Sequence, residues 1–151
     1  MSVPPAVAAR YVVQALEANA TYRGLRAGTK TYRLGLPRDL DLSEKPGVIV
    51  EVPSAVTPTE YVRSDNVNEA QAVTVTTHLV YQGESTAKLE VLLATIHALV
   101  KNRFSVSVQG GTMVQCTEGL FIEYSETLGD DRYIHWVQEW QIQAVATGVI
   151  V

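Results

Sequence analysis

The sequence predicts an α+β domain: two amphipathic helices packed on one face of a mostly antiparallel four- to five-stranded sheet, with two long polar loops. Three patterns carry this prediction. Apolar residues recur at helical spacing in two segments. Several runs of β-branched and aromatic residues alternate with polar ones, as half-buried strands do. Glycine-centred turns separate the runs in the second half of the chain. With hydrophobic residues at 46% and charged residues at 19%, a packed core is favoured over disorder. The length of 151 residues fits one domain spanning 1–151.

The first helix is expected over residues 5–19. Pro4 and Pro5 stand where a helix can begin, because the first turn has no intrahelical use for their missing N–H. Ala8, Tyr11, Val12, Ala15 and Leu16 then form a stripe, with Arg10, Gln14 and Glu17 on the opposite side. Residues 20–47 carry several glycines and prolines and read as a long connection, with one short extended piece near 31–34. "GVIVEVPS" supplies the β-branched run Val48, Ile49, Val50 and Val52, a strand expected to end at Pro53. Residues 54–70 are again polar and irregular. Loops of this length are often functional, and both are expected to order against neighbouring subunits or adjacent rings and to add little to the domain's own core.

In "AVTVTTHLVY", Val73, Val75, Thr77, Leu79 and Tyr81 share one parity, while Thr74, Thr76 and His78 share the other. This is a half-buried strand with His78 on its solvent side. Ser85 is the expected N-cap of the clearest helix, whose stripe is Leu89, Leu92, Leu93, Ile96, Leu99 and Val100. "FSVSVQ" places Phe104, Val106 and Val108 on one face, and Gly110-Gly111 forms a hairpin turn. "TMVQCTEGLFIEYS" and "RYIHWVQEWQIQAV" complete a meander through "TLGDDR". In the last strand Ile134, Trp136, Trp140 and Ile142 face the helices. His135, Val137, Glu139 and Gln141, with Gln143, form a polar face open to a neighbour.

Signals for chemistry are weak. His135 and Glu139 share a face but stand about 13 Å apart along a strand. His97 borders the apolar stripe of its helix. Cys116, the single cysteine, lies in a strand with no histidine near it in sequence and reads as a structural thiol. No metal-ligand pair, nucleophile elbow or phosphate loop occurs, so no catalytic residue, metal or cofactor is expected. A net charge of -4 argues against a dedicated nucleic-acid binder. No apolar run reaches the roughly 20 residues that cross a membrane. "MSVPPAVAAR" lacks the form of a secretory signal, so synthesis in the cytoplasm is the expectation.

The order of elements has a counterpart. The helix with "ALEANA", the strand "PGVIVEV", a polar insert, an alternating strand, the helix with "LLATIHALV" and a closing meander together resemble the tail terminator (tail completion) proteins of long-tailed bacteriophages. The resemblance spans roughly residues 5–147 and is one of pattern and length. It implies a virion protein and not an enzyme. Such a protein forms a homo-oligomeric ring, hexameric in the family, on the last ring of the tail tube protein. It stops tube growth and presents the surface that joins a head-tail connector or stopper protein, with DNA passing non-specifically through the ring. Two alternatives stand beside it: another neck or tail component (connector, stopper or tube protein), and a small-molecule-binding or enzymatic α+β domain.

Charge placement suggests where subunits would meet. Residues 21–38 contain Arg23, Arg26, Lys30, Arg33 and Arg38 and no acid, whereas residues 112–131 contain Glu118, Glu123, Glu126, Asp130 and Asp131 and no base. By strand parity Glu118 and Glu126 share a face and Glu123 opposes them. The expectation is that Arg23, Arg26, Lys30 and Arg33 of one subunit lie near Glu118, Glu123 and Glu126 of its neighbour or of an adjacent ring, because a ring uses heterologous contacts. The competing use of the basic segment is to face DNA.

Overall fold

The computed structural model describes residues 3–56 and 70–146. Helix α1 (Pro4–Glu17) begins at the two prolines and leads directly into a short helix, α2 (Ala20–Leu25). Strand β1 (Gly47–Val56) and strand β2 (Gln71–Gln82) follow, then helix α3 (Ala87–Val100). Strands β3 (Arg103–Val108), β4 (Gly111–Leu128) and β5 (Asp131–Ala146) close the chain. The five strands form one sheet in the order β1-β2-β5-β4-β3, and every neighbouring pair is antiparallel. The α+β expectation holds, with five strands.

The core lies between the helices and one sheet face. Val7, Ala8, Tyr11, Val12 and Leu16 of α1 and Leu89, Leu92, Ile96 and Val100 of α3 are buried against Val73, Val75, Leu79, Trp136, Trp140 and Ile142. Polar atoms on this face find partners. The Tyr11 hydroxyl donates to the Val100 carbonyl at 2.7 Å, and Trp140 Nε1 donates to Thr77 Oγ1 at 3.2 Å. Gln138 is buried among them: His97 Nε2 meets its Oε1 at 3.1 Å, and its amide donates to the carbonyls of Gly119, Leu120 and Glu139.

Gln109 and Gly110 turn β3 into β4, with Gly110 at φ 86°. Gly111 is required for a different reason: a Cβ there would lie 2.0 Å from the Val145 carbonyl oxygen. Gly111→Ala must therefore push β4 and β5 apart. We expect a loss of about 1–3 kcal/mol, the usual cost of overpacking, measured by urea denaturation.

Several expectations need correction. The segment 20–47 is not a loop peripheral to the core. Asn19 Oδ1 caps α2 by accepting from the Tyr22 N–H at 2.9 Å, and Tyr22, Arg26, Ala27 and Thr31 are buried. Within 31–34, Tyr32 forms a parallel bridge to Ile49 on β1. Pro53 does not end β1. It sits in a bulge between Glu51 and Ser54 on an edge strand, where its lost donor costs little. The cap position of α3 is Thr86, although the Ser85 hydroxyl accepts from the Ala87 N–H at 3.3 Å. Phe104 does not join Val106 and Val108. Ser105 between them holds φ 53°, and Phe104 is 63% exposed. Of the polar stretch 54–70, residues 54–56 belong to β1, and 57–69 lie outside the described residues.

Candidate assembly surface

Two bulges decide what β4 presents. The register of β4 on β5 shifts between Met113 and Gln115 and again between Glu118 and Phe121. Each shift inserts one extra residue and so exchanges the two faces of the strand. The first brings both Met113 and Cys116 into the core. Buried there, the Cys116 thiol is pushed up to about 12, which keeps it protonated and unreactive. The second overturns the simple parity of the glutamates. Glu118 pairs across from Trp140 and Glu123 from Trp136, on the helix side. Glu126 stands with Tyr124 on the other side.

Each of these carboxylates has a partner within its own chain. Lys101 Nζ donates to Glu118 at 2.7 Å, with His97 Nδ1 at 3.7 Å. Trp136 Nε1 donates to Glu123 at 2.6 Å, and His135 Nε2 meets Glu126 at 2.7 Å. All three carboxylates nonetheless remain exposed.

The basic residues divide differently. Arg26 is only 4% exposed. Its Nε and Nη2 grip the two Glu17 oxygens at 2.8 Å each, while Nη1 and Nη2 donate to the carbonyls of Gly28 and Thr29. Thr31 Oγ1 donates to the same Glu17 carboxylate at 2.7 Å. Arg26 is thus a clamp that fixes 26–31 onto α1 and is not available to a neighbour, a correction to the surface set. Sequence reasoning missed it because an arginine in a glycine-rich connection reads as solvated. Arg23, Lys30, Arg33 and Arg38 are exposed. Arg23 also donates to the Glu17 carbonyl at 3.2 Å, and the Lys30 ammonium lies 5.5 Å from the centre of the Tyr32 ring.

The sheet face away from the helices holds a chain of titratable groups that the sequence did not reveal. Strand parity places His78 on the solvent side and His135 on an open polar face. Instead His78 is half-buried and His135 is buried. His78 Nδ1 faces Glu51 at 3.4 Å, His78 Nε2 meets His135 Nδ1 at 2.9 Å, and Tyr124 stacks on His135 with the rings 4.5 Å apart. With both rings neutral and Glu126 ionised, His135 must donate from Nε2 and accept at Nδ1. His78 then donates from Nε2, leaving its Nδ1 bare towards Glu51, the longest contact of the chain. The two short contacts tie β2, β5 and β4 together, while the contact to Glu51 on β1 has no proton between its two acceptors as long as the His78 ring is neutral. Among the described residues, no group of three or more His, Cys, Asp and Glu side chains is placed to hold a metal ion.

Burial first, then the charge of a protonated His135, holds the His78 ring below its ordinary value, against the pull of Glu51 on β1 and Glu126 on β4. The unfolded chain takes up this proton near about pH 6.5 and the folded chain resists it, so this contribution to stability is present above that pH and declines as pH falls through it. We expect the thermal midpoint to drop from about pH 7.5 to about pH 5.5, and His78→Gln to flatten that drop. Equal slopes for the two proteins would contradict this account.

The most unusual surface is the outer edge of β4. Strand β3 pairs only as far as Arg103 opposite Cys116. From Thr117 to Leu128 the strand pairs with β5 alone among the described residues. Along that open edge Leu120, Phe121, Ile122, Tyr124 and Leu128 are 45–67% exposed. Apolar side chains therefore point to water from both faces of a strand whose outer edge has no partner strand among the described residues. A cleft of about 350 Å³ between α2 and α3 is lined by Leu25, Lys45, Ala87 and Val91 among others. Its Lys88 ammonium is already bonded to the Glu44 carbonyl. Among the described residues, no helix is long and apolar enough to cross a membrane.

No family model matches the chain, and no curated protein matches it. Among solved structures, a chain described as "Virion of native gene transfer agent (GTA) particle" has a similar fold, with a TM-score of 0.58 at 14% identity. The alignment covers 87% of this chain and 91% of that one. At that identity the likeness is one of fold.

Proposed function

We propose that this protein is a structural component of a phage-like virion, and more narrowly a tail terminator. In this reading it forms a ring, hexameric as the sequence resemblance implies, at the head-proximal end of a tail. One side of the ring seats on the tail tube protein and stops its growth. The other receives a head-tail connector or stopper protein, and DNA passes through the centre without being read. The protein acts by assembling and not by catalysis.

The observation that carries this reading is the open β4 edge. A long apolar edge strand left in water invites pairing with another chain, and natural proteins cover or blunt such edges. An assembly subunit covers it with its neighbour. The fold shared with a chain of a gene transfer agent virion supports the same class of role.

Electron microscopy of particles made without the protein tests the proposal. A terminator predicts tubes of excessive length and unjoined heads. Tubes of normal length with unjoined heads would point to a connector or stopper, and absence of tubes to a tube protein. Normal particles would contradict a virion role.

A further inference from the structure

We infer that the open edge of β4, residues 117–128, is covered in the assembly by residues 32–38 of a second copy of this chain. The inference rests on the ring proposed above and names the surfaces that build it.

The two segments lie at opposite ends of the sheet. Residues 32–33 are fixed along the outer edge of β1: the Tyr32 N–H donates to the Val48 carbonyl at 3.0 Å, the Val50 N–H to the Tyr32 carbonyl at 2.8 Å, and Arg33 Nε to the Val50 carbonyl at 2.9 Å. Beyond this anchor Leu34 is 97% exposed, and Arg33 and Arg38 are exposed on either side of it. On the far side of the sheet, past the end of β3, the β4 edge offers Leu120, Ile122 and Tyr124 with Glu118, Glu123 and Glu126.

The two patches match in kind. Residues 32–38 hold two arginines and no acid, and residues 117–128 hold three glutamates and no base. Each also exposes apolar side chains that gain from leaving water. Because the patches sit on opposite edges of one sheet, they can meet only between copies. The contact is then heterologous, the type that repeats head to tail and closes a ring. Pairing two β4 edges with each other is disfavoured, since it would set acidic strands side by side and oppose like charges.

Thiol cross-linking tests this in the intact chain. The native Cys116 is buried and unreactive, so new surface cysteines report alone. A Leu34→Cys, Ile122→Cys double variant treated with a short bismaleimide should give a ladder of covalent oligomers ending at the ring number. Each single variant should stay monomeric on the same denaturing gel. If the wild-type chain assembles but the double variant gives no ladder, the inference falls and the ring reading stands. A covalent dimer from Ile122→Cys alone would show edge-to-edge pairing and overturn it as well. A wild-type chain that stays monomeric at high concentration overturns both. If the wild-type chain assembles, no ladder forms and DNA protects Arg33 and Arg38 from modification, the basic segment faces nucleic acid instead.

Discussion

Arg26→Ala is expected to lower the stability of the domain by about 2–4 kcal/mol, below the roughly 3–5 kcal/mol of a fully enclosed pair because Glu17 keeps some contact with water. The substitution removes four hydrogen bonds at once and leaves the Glu17 carboxylate and two loop carbonyls without their main donor. Lysine should rescue little, since an ammonium cannot grip both carboxylate oxygens in the plane of a guanidinium. The same clamp has a signature at low pH. The Arg26 hydrogen bonds hold the Glu17 carboxyl below its ordinary value, more strongly than burial raises it. The stability this gives is present above the ordinary carboxylate value and is lost as pH falls through the depressed one. Wild type should therefore lose stability on acidification below about pH 4.5 more steeply than Arg26→Ala. A urea midpoint unchanged by Arg26→Ala would contradict the clamp.

Leu120→Lys with Ile122→Lys should abolish assembly and leave the fold nearly intact. Leu120 is 67% and Ile122 45% exposed in the single chain, so their replacement should cost no more than about 1 kcal/mol. In the assembly, two ammonium groups would face the arginines of the neighbour and would have to shed water to enter the contact. Light scattering should show loss of the large species, while circular dichroism and the unfolding midpoint stay near wild type. Assembly at the wild-type level would remove the β4 edge from the interface. A collapsed midpoint would show that this edge belongs to the core.

What the sequence disclosed followed from how far each signal reaches along the chain. The stripe of α3 and the alternation of β2 are local, and both elements form where the spacing predicts. Helix α2 is local too, but it spans six residues with Gly24 inside it, too short for a stripe and poor in propensity. Strand parity held until a bulge intervened. Gly119 and Pro53 mark two of the bulges, yet a glycine or proline alone does not say which face follows, so plain strand parity puts Glu118 and Glu123 on opposite sides. The pairing of His78 with His135 joins residues 57 apart and needs the register of β2 on β5. The open edge was least legible of all. Its apolar residues look like ordinary strand residues until β3 is seen to stop six residues into β4. Charge placement puts Arg26 on the surface, whereas it is buried on Glu17, because that partner lies on a helix that sequence reading treats separately.

The mass of the assembled protein, by native mass spectrometry or sedimentation, tests the central proposal most directly. One closed species at a fixed multiple of the 16.5 kDa chain is expected, six copies by the resemblance, with that species lost in the Leu120→Lys, Ile122→Lys variant. A chain that remains monomeric at every concentration, or one that grows into filaments of unlimited length, would contradict it.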